Sequence, residues 1–289
     1  MYPEQPTRST RPKKAGLWKY IAPISLGAAY AISRILMLHI TDAETALQEN
    51  FKYLFLAGVL IAFALRPIAL LIYWKPATGI TVITVMLFTL GTPGKILDSL
   101  AWGAPVISEF WQSGFAEMFA FIFITVVATF LLPPSNAVVD FALIQKRFLR
   151  YITPTRTLII FLSGGVYVLL FLLTQVCFTP DIESFEPLQK LNEFFSLPQI
   201  SPLEQIAFLW LRGILCTVLV ILPVLILFSR GTLDLILILG SLMFVVSEFA
   251  PAFVRFQHYA SLMLIDQVIQ GAFLYFLFAS IVIFGLKRE

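Results

Sequence analysis

The densest run of ionisable and amide side chains in this otherwise apolar chain lies near its C-terminal end, in residues 245–278, VVSEFAPAFVRFQHYASLMLIDQVIQGAFLYFLF. Glu248, Arg255, His258, Asp266, Gln267 and Gln270 stand there among segments that read as lipid-embedded helix. Asp266 and Gln270 are four residues apart and stack on one helix face, flanked by Met263 and Phe273. His258 comes about two helical turns earlier, near the outer water boundary. Together they read as a polar ladder leading from the outer surface into a helix bundle, with Asp266 as the proton-carrying acid.

A charge inside a membrane span costs roughly 3 kcal/mol on insertion scales, so each one calls for a partner, a cavity or a function. Reading depth along each apolar segment places Arg34, Glu117, Arg212, Glu248 and Asp266 in the same outer half. Mixed signs at one level predict mutual neutralisation within the bundle, with Asp266 and Gln270 facing Arg34 or Arg212. Either arginine then suits an anionic head group or carboxylate. In the inner half, Arg66 precedes Pro67 and has Asp234 as its candidate partner. The competing structural reading is that Arg34 snorkels, Glu117 and Glu248 lie among head groups, and Asp266–Arg212 is a packing pair. On that reading His258 is an interfacial loop histidine.

The elements that must position these residues follow from composition. The 289 residues are 59% hydrophobic and only 13% charged, with 28 Phe. That is about half the charge of a soluble domain. The mean hydropathy of +0.88 agrees. Such a chain cannot cover a water-facing surface, and the fold class is an all-α, polytopic integral membrane bundle. Eight candidate spans emerge: Leu17–Leu38, Phe51–Trp74, Thr78–Leu97, Gly114–Leu132, Thr157–Phe178, Ile206–Phe228, Leu233–Phe249 and Ser261–Leu286. The third is the weakest, because Gly91, Pro93 and Gly94 mark a break or a re-entrant turn.

Most of the 20 basic residues fall at one end of these spans, in the N-terminal tail, Lys75, the Lys146–Arg156 loop, Arg230 and the Lys287-Arg288 end. The positive-inside rule then puts both termini in the cytoplasm, with a bacterial inner membrane as the expected location. Lys52, Lys95, Lys190 and Arg255 fall outside. Residues 1–16 read as a disordered basic tail and residues 17–289 as one transmembrane domain. Within it, residues 137–152 carry an apolar stripe of Val138, Phe141, Ala142, Gln145, Phe148, Leu149 and Ile152. Ser135 or Asn136 is the candidate cap. Lys146, Arg147 and Arg150 lie off the stripe, so anionic lipids of the inner leaflet are the expected partner. The alternative is a helix packed on the bundle. Residues 185–196 form a second amphipathic segment, on the outer face.

The order of spans and basic turns repeats after four spans. LLIYWKPATGITVITVMLF (70–88) parallels VLILFSRGTLDLILILGSLMF (224–244), which predicts a 4+4 parallel repeat. The further match of VISEF (106–110) with VVSEF (245–249) has the wrong spacing and reads as chance.

No Walker A loop, HExxH, CxxC or GxSxG occurs, and Cys177 and Cys216 have no metal or disulfide spacing. No cofactor or metal and no nucleic acid is expected. The reading leans away from an enzyme and toward a transporter or permease with a polar pathway opening outward. One alternative is a non-catalytic membrane subunit, held by a membrane-protein partner or a second copy. The other is an enzyme on a lipid or lipid-linked substrate at the outer leaflet, with His258, Asp266 and Glu248 as acid–base groups.

Overall fold

The computed structural model describes residues 15–41, 50–71, 75–101, 108–131, 139–177, 200–227, 230–255 and 261–287. All regular structure in them is helical: α1 Ala15–Ile40, α2 Phe51–Leu71, α3 Pro76–Ala101, α4 Ser108–Leu131, α5 Phe141–Tyr151, α6 Pro154–Cys177, α7 Pro202–Leu227 and α8 Thr232–Phe244. A π-helical turn, Val245–Phe249, then leads into α9 Ala250–Arg255, and α10 Ser261–Lys287 closes the order. Eight of these segments are long and apolar enough to cross a bilayer. Large apolar side chains such as Ile32, Phe130 and Leu169 are exposed on the spans, as a lipid-facing surface requires. The chain is an integral membrane protein.

Local chemistry explains where several helices begin. Proline occupies the first position of α3, α6 and α7, where its missing N–H costs nothing. At α7, Ser201 and Glu204 form a reciprocal capping box: the Ser201 N–H and hydroxyl donate to Glu204 Oε2 at 2.9 and 2.7 Å, and the Glu204 N–H donates to Ser201 Oγ at 3.4 Å.

The third span is neither broken nor re-entrant. α3 runs through Gly91, Pro93 and Gly94 without interruption. A Cβ at Gly91 would stand 3.3 Å from Glu117 Oε1, and one at Gly94 would stand 3.0 Å from Arg212 Nη1. These glycines therefore admit neighbouring side chains rather than turn the chain. Span seven also differs from expectation, continuing past Glu248 to Val254. Glu248 lies inside the π turn, whose bond runs from Ala250 N to Val245 O. The turn immediately precedes Pro251, which lacks the N–H to continue an α ladder. Ser247–Phe249 lie in the π turn and Ser108–Phe110 open α4, while positions 106 and 107 of the VISEF string lie outside the described residues.

The helices can be taken in two sets, α1–α4 and α6–α10, which also pack on each other as closely as some pairs within a set. α1 packs on α2 and α4, and α3 on α4; likewise α6 packs on α7 and α10, and α8 on α10. Across the seam, α3 meets α7, while α2 meets α8, the π turn and α9. The tightest crossings are built alike. A Cβ at Gly58 of α2 would come 2.7 Å from Tyr30 Cβ and 3.0 Å from Gly27 Cα, both on α1. One at Gly213 of α7 would come 2.5 Å from Tyr167 Cβ and 2.9 Å from Gly164 Cα, both on α6. Tyr30 then leans on Phe121 of α4 (centroids 6.0 Å), and Tyr167 on Phe278 of α10 (5.4 Å). In lipid there is no hydrophobic drive between spans, so such small-residue contacts are how helices attract. Hydrogen bonds add to them, from Thr84 to Thr125 at 3.0 Å and from Thr217 to Ser163 at 2.7 Å.

α5 is capped by Asp140, which accepts from Leu143 N at 2.9 Å and pairs with Lys75 Nζ at 2.7 Å. The expected caps Ser135 and Asn136 lie outside the described residues, as do the outer segment 185–196 and the first 14 residues of the tail. The α5 stripe also turns out rotated. Ile144 and Tyr151 are buried, whereas Phe141, Leu149 and Ile152 are exposed. The sequence stripe therefore mixed two faces. Both cysteines are free, Cys216 buried and Cys177 exposed.

Two outcomes follow. Gly58→Leu and Gly213→Leu force the tightest crossings apart, and each lowers stability in detergent by about 1–3 kcal/mol, read from thermal unfolding. Lys75 and the Leu143 N–H hold the Asp140 carboxyl below its usual range. A lowered carboxylate pKa contributes stability above the ordinary value and loses it as pH falls through the folded value. The α5 amides therefore lose exchange protection, corrected for intrinsic pH dependence, at acid pH in the wild type. In Asp140→Ala they lose it already at neutral pH.

Candidate functional site

One helix carries the polar site. Thr92, Lys95 and Asp98 recur every third residue along α3, close enough to one face to reach both neighbouring helices. Toward α4, Lys95 Nζ lies 2.7 Å from Glu117 Oε1 and Thr92 Oγ1 donates to Glu117 Oε2 at 2.7 Å. Arg34 of α1 completes that cluster, with Nη1 3.7 Å from Glu117 Oε1. Its guanidinium also donates to Tyr30 Oη at 3.4 Å and Ser113 Oγ at 3.3 Å. Toward α7, Asp98 Oδ2 lies 2.5 Å from Arg212 Nη1.

Arg212 heads the largest fully buried side chains of the described residues. Its Nη2 donates to the Tyr275 hydroxyl on α10. The rings of Tyr167 and Tyr275 lie 5.9 and 6.0 Å from its Cζ, and their hydroxyls are 3.4 Å apart. Its Nε has no hydrogen-bond partner among the described residues. Glu248 approaches from the π turn, where a Cβ at Gly271 would meet its Cγ at 2.6 Å. Gly271 is one helical turn before Tyr275, which puts Glu248 a turn away from the Arg212 contact. Ser247 of the same turn donates to Leu90 O of α3 at 3.4 Å.

The two ion pairs share an asymmetry. The Lys95 and Asp98 side chains on α3 are 22% and 26% exposed, while their partners Glu117 and Arg212 are 7% and 1% exposed. Each pair thus has one sealed member and one whose side chain keeps some exposed surface, although Asp98 Oδ1 is itself buried. A sealed charge pays a large desolvation cost that only its partner offsets.

Of the residues read from sequence, Arg34, Glu117 and Arg212 are buried in this belt, with Arg34 and Glu117 against each other. The acid on Arg212 is Asp98, not Asp266. Asp266 is half-buried at the start of α10 beside exposed Ile265, Gln267 and Ile269, and makes no ion pair with a described residue. Gln270 is half-buried and Asp234 exposed, and Arg66 makes no ion pair with Asp234 or any other described residue. His258 and the Arg255 side chain lie outside the described residues. Sequence reasoning missed Asp98, Tyr167 and Tyr275 and counted Lys95 only among the basic residues of the outer side. The three-residue spacing of Thr92, Lys95 and Asp98 was the available signal, hidden by taking Gly91–Gly94 as a break. Among the described residues no three His, Cys, Asp or Glu side chains gather as metal ligands would.

The chain matches no protein-family model, no curated protein and no solved structure.

Arg212→Met should cost about 3–5 kcal/mol, as for a broken buried pair. Adding Asp98→Asn to it should restore most of the loss. The coupling is read from a double-mutant cycle of melting temperatures.

Proposed function

We propose that the protein is a permease-like transporter of the cytoplasmic membrane whose polar pathway opens at the outer end of α3, with the Asp98–Arg212 pair as its gate. The carrying observation is that this pair joins α3 and α7, one helix from each set, with Arg212 sealed and the Asp98 side chain partly exposed. Transport by relative movement of two halves requires contacts at the seam that can be made and broken at low net cost. A carboxylate- or phosphate-type anion makes the same contact with a guanidinium that Asp98 makes, so it is the solute class that can take Asp98's place.

The halves themselves are read as two copies of one four-helix unit in parallel orientation. Three correspondences support this. The Gly27–Gly58 crossing under Tyr30 has its counterpart in the Gly164–Gly213 crossing under Tyr167. The Tyr30–Phe121 contact corresponds to Tyr167–Phe278. Gly114 packs on Thr92 of the third span as Gly271 packs on Glu248 of the seventh, and in each case the partner phenylalanine follows seven residues later. Most Lys and Arg lie at the α5 end, which supports cytoplasmic N- and C-termini. The charges differ between copies. At the positions matching Arg34 and Glu117 stand Phe171 and Leu274, so the scaffold is doubled while the site is single.

Purified protein in liposomes should exchange at least one of labelled acetate, succinate and inorganic phosphate. Asp98→Glu, which keeps the charge but moves the carboxylate, should cut that flux tenfold or more with melting temperature preserved. A cysteine at position 98 should react with an impermeant methanethiosulfonate from the outer side alone. No flux of any of the three anions, together with an unreactive Cys at 98, would sink the reading in favour of a non-catalytic subunit.

A further inference from the structure

α5 carries three stripes, and only one of them is explained by packing. Ile144, Arg147, Phe148 and Tyr151 face the bundle: Arg147 Nη1 donates to Leu225 O of α7 at 3.3 Å, and Tyr151 Oη donates to Leu286 O of α10 at 3.1 Å. Leu225 and Leu286 belong to the last turns of their spans, so α5 lies level with the span ends rather than out in water. Helical spacing puts Phe141, Gln145, Leu149 and Ile152 on a second face, exposed and mostly apolar. Lys146 and Arg150, also exposed and four residues apart, form a third stripe beside it. No described residue pairs with either cation.

We propose that this outer surface of α5 is a binding site for anionic phospholipid of the leaflet at that end of the bundle. Phe141, Leu149 and Ile152 enter the acyl region, and Lys146 and Arg150 hold the phosphate-bearing head group. A helix at the span ends with an apolar stripe flanked by free cations matches lipid in both depth and charge. Arg147 is set aside, because it is half-buried on the bundle face and donates to the α7 carbonyl. The site has a mechanical consequence. The segment leading into α5 is tied to the α2–α3 turn by Lys75 N to Val139 O at 2.8 Å and by the Lys75–Asp140 pair. Its other end is tied to α7 and α10. α5 is therefore a strap across the inner ends of both helix groups, and bound anionic lipid holds it down. The lipid site does not depend on the transport reading; only the name of the leaflet depends on the proposed orientation.

The test uses full-length protein in nanodiscs of phosphatidylcholine, with or without phosphatidylglycerol. An environment-sensitive dye on Leu149→Cys should report an apolar setting. Native mass spectrometry should find phosphatidylglycerol retained over phosphatidylcholine. Lys146→Gln with Arg150→Gln should weaken that retention roughly 30-fold, from two near-surface cations, and should abolish the rise in melting temperature that phosphatidylglycerol gives the wild type. Lys146→Arg with Arg150→Lys should retain both, which separates lost charge from a disturbed helix. Equal retention by the glutamine variant, or a dye at position 149 that reads water, overturns the proposal whatever the flux assays give.

Discussion

The constraint on which the structure depends is the sealed guanidinium of Arg212. A charge at that depth, cut off from water, is tolerated only beside a counter-charge and hydrogen-bonding groups. Asp98 supplies the charge, Tyr275 accepts from one amino group, and Tyr167 and Tyr275 put their rings alongside. These partners come from α3, α6 and α10, so one side chain on α7 fixes the relative placement of four helices. The absence of a Cβ at Gly94 leaves the guanidinium its place against α3. The continuity of α3 past Pro93 is part of the same arrangement, since Asp98 reaches Arg212 only if the helix extends beyond the proline.

The two ends of the bundle are held by different chemistry. Toward the Arg34 end, ion pairs are buried between helices. Toward the α5 end, apart from the exposed Lys75–Asp140 pair, side chains act on backbone carbonyls, mostly at helix termini, which are the groups a helix leaves unsatisfied. Arg147 takes Leu225 O, Lys287 takes Arg230 O, and Arg156 takes Tyr151 O at 3.0 Å while its guanidinium lies 4.0 Å over the Tyr151 ring. Cations at helix C-termini also meet the negative end of the helix dipole. The first arrangement buries charge pairs between spans, and the second acts mainly on backbone carbonyls. That difference is why the site is drawn at one end and the strap at the other.

Much of the fold was legible because the bilayer imposes a length and a composition on each segment. All eight spans could be read from apolar runs, and so could the shared depth of Arg34, Glu117 and Arg212. Legibility failed where a local rule has two outcomes. Gly91-Thr92-Pro93-Gly94 breaks a helix in water, yet in a bundle the same glycines admit Glu117 and Arg212 against the backbone. The apolar run of span seven stops at Phe249, just after Glu248, but a π turn carries the helix on to Arg255. On α5, Ile144 and Tyr151 did not stand out from the apolar stripe because a helix that touches both protein and lipid has two apolar faces, and periodicity alone cannot separate them.

By itself, then, the sequence determined that this is a many-span helical membrane protein, where its basic ends lie, and which charges cannot rest in lipid unaided. Tertiary structure decided which of those charges meet. Arg212 could have paired with Asp266 on depth alone. It pairs with Asp98 because α3, not the start of α10, packs against that face of α7. Depth is a one-dimensional property written along the chain, whereas pairing depends on which helix is neighbour to which and how each is rotated. That choice is made by small-residue crossings such as Gly164 with Gly213, through contacts between residues far apart in sequence.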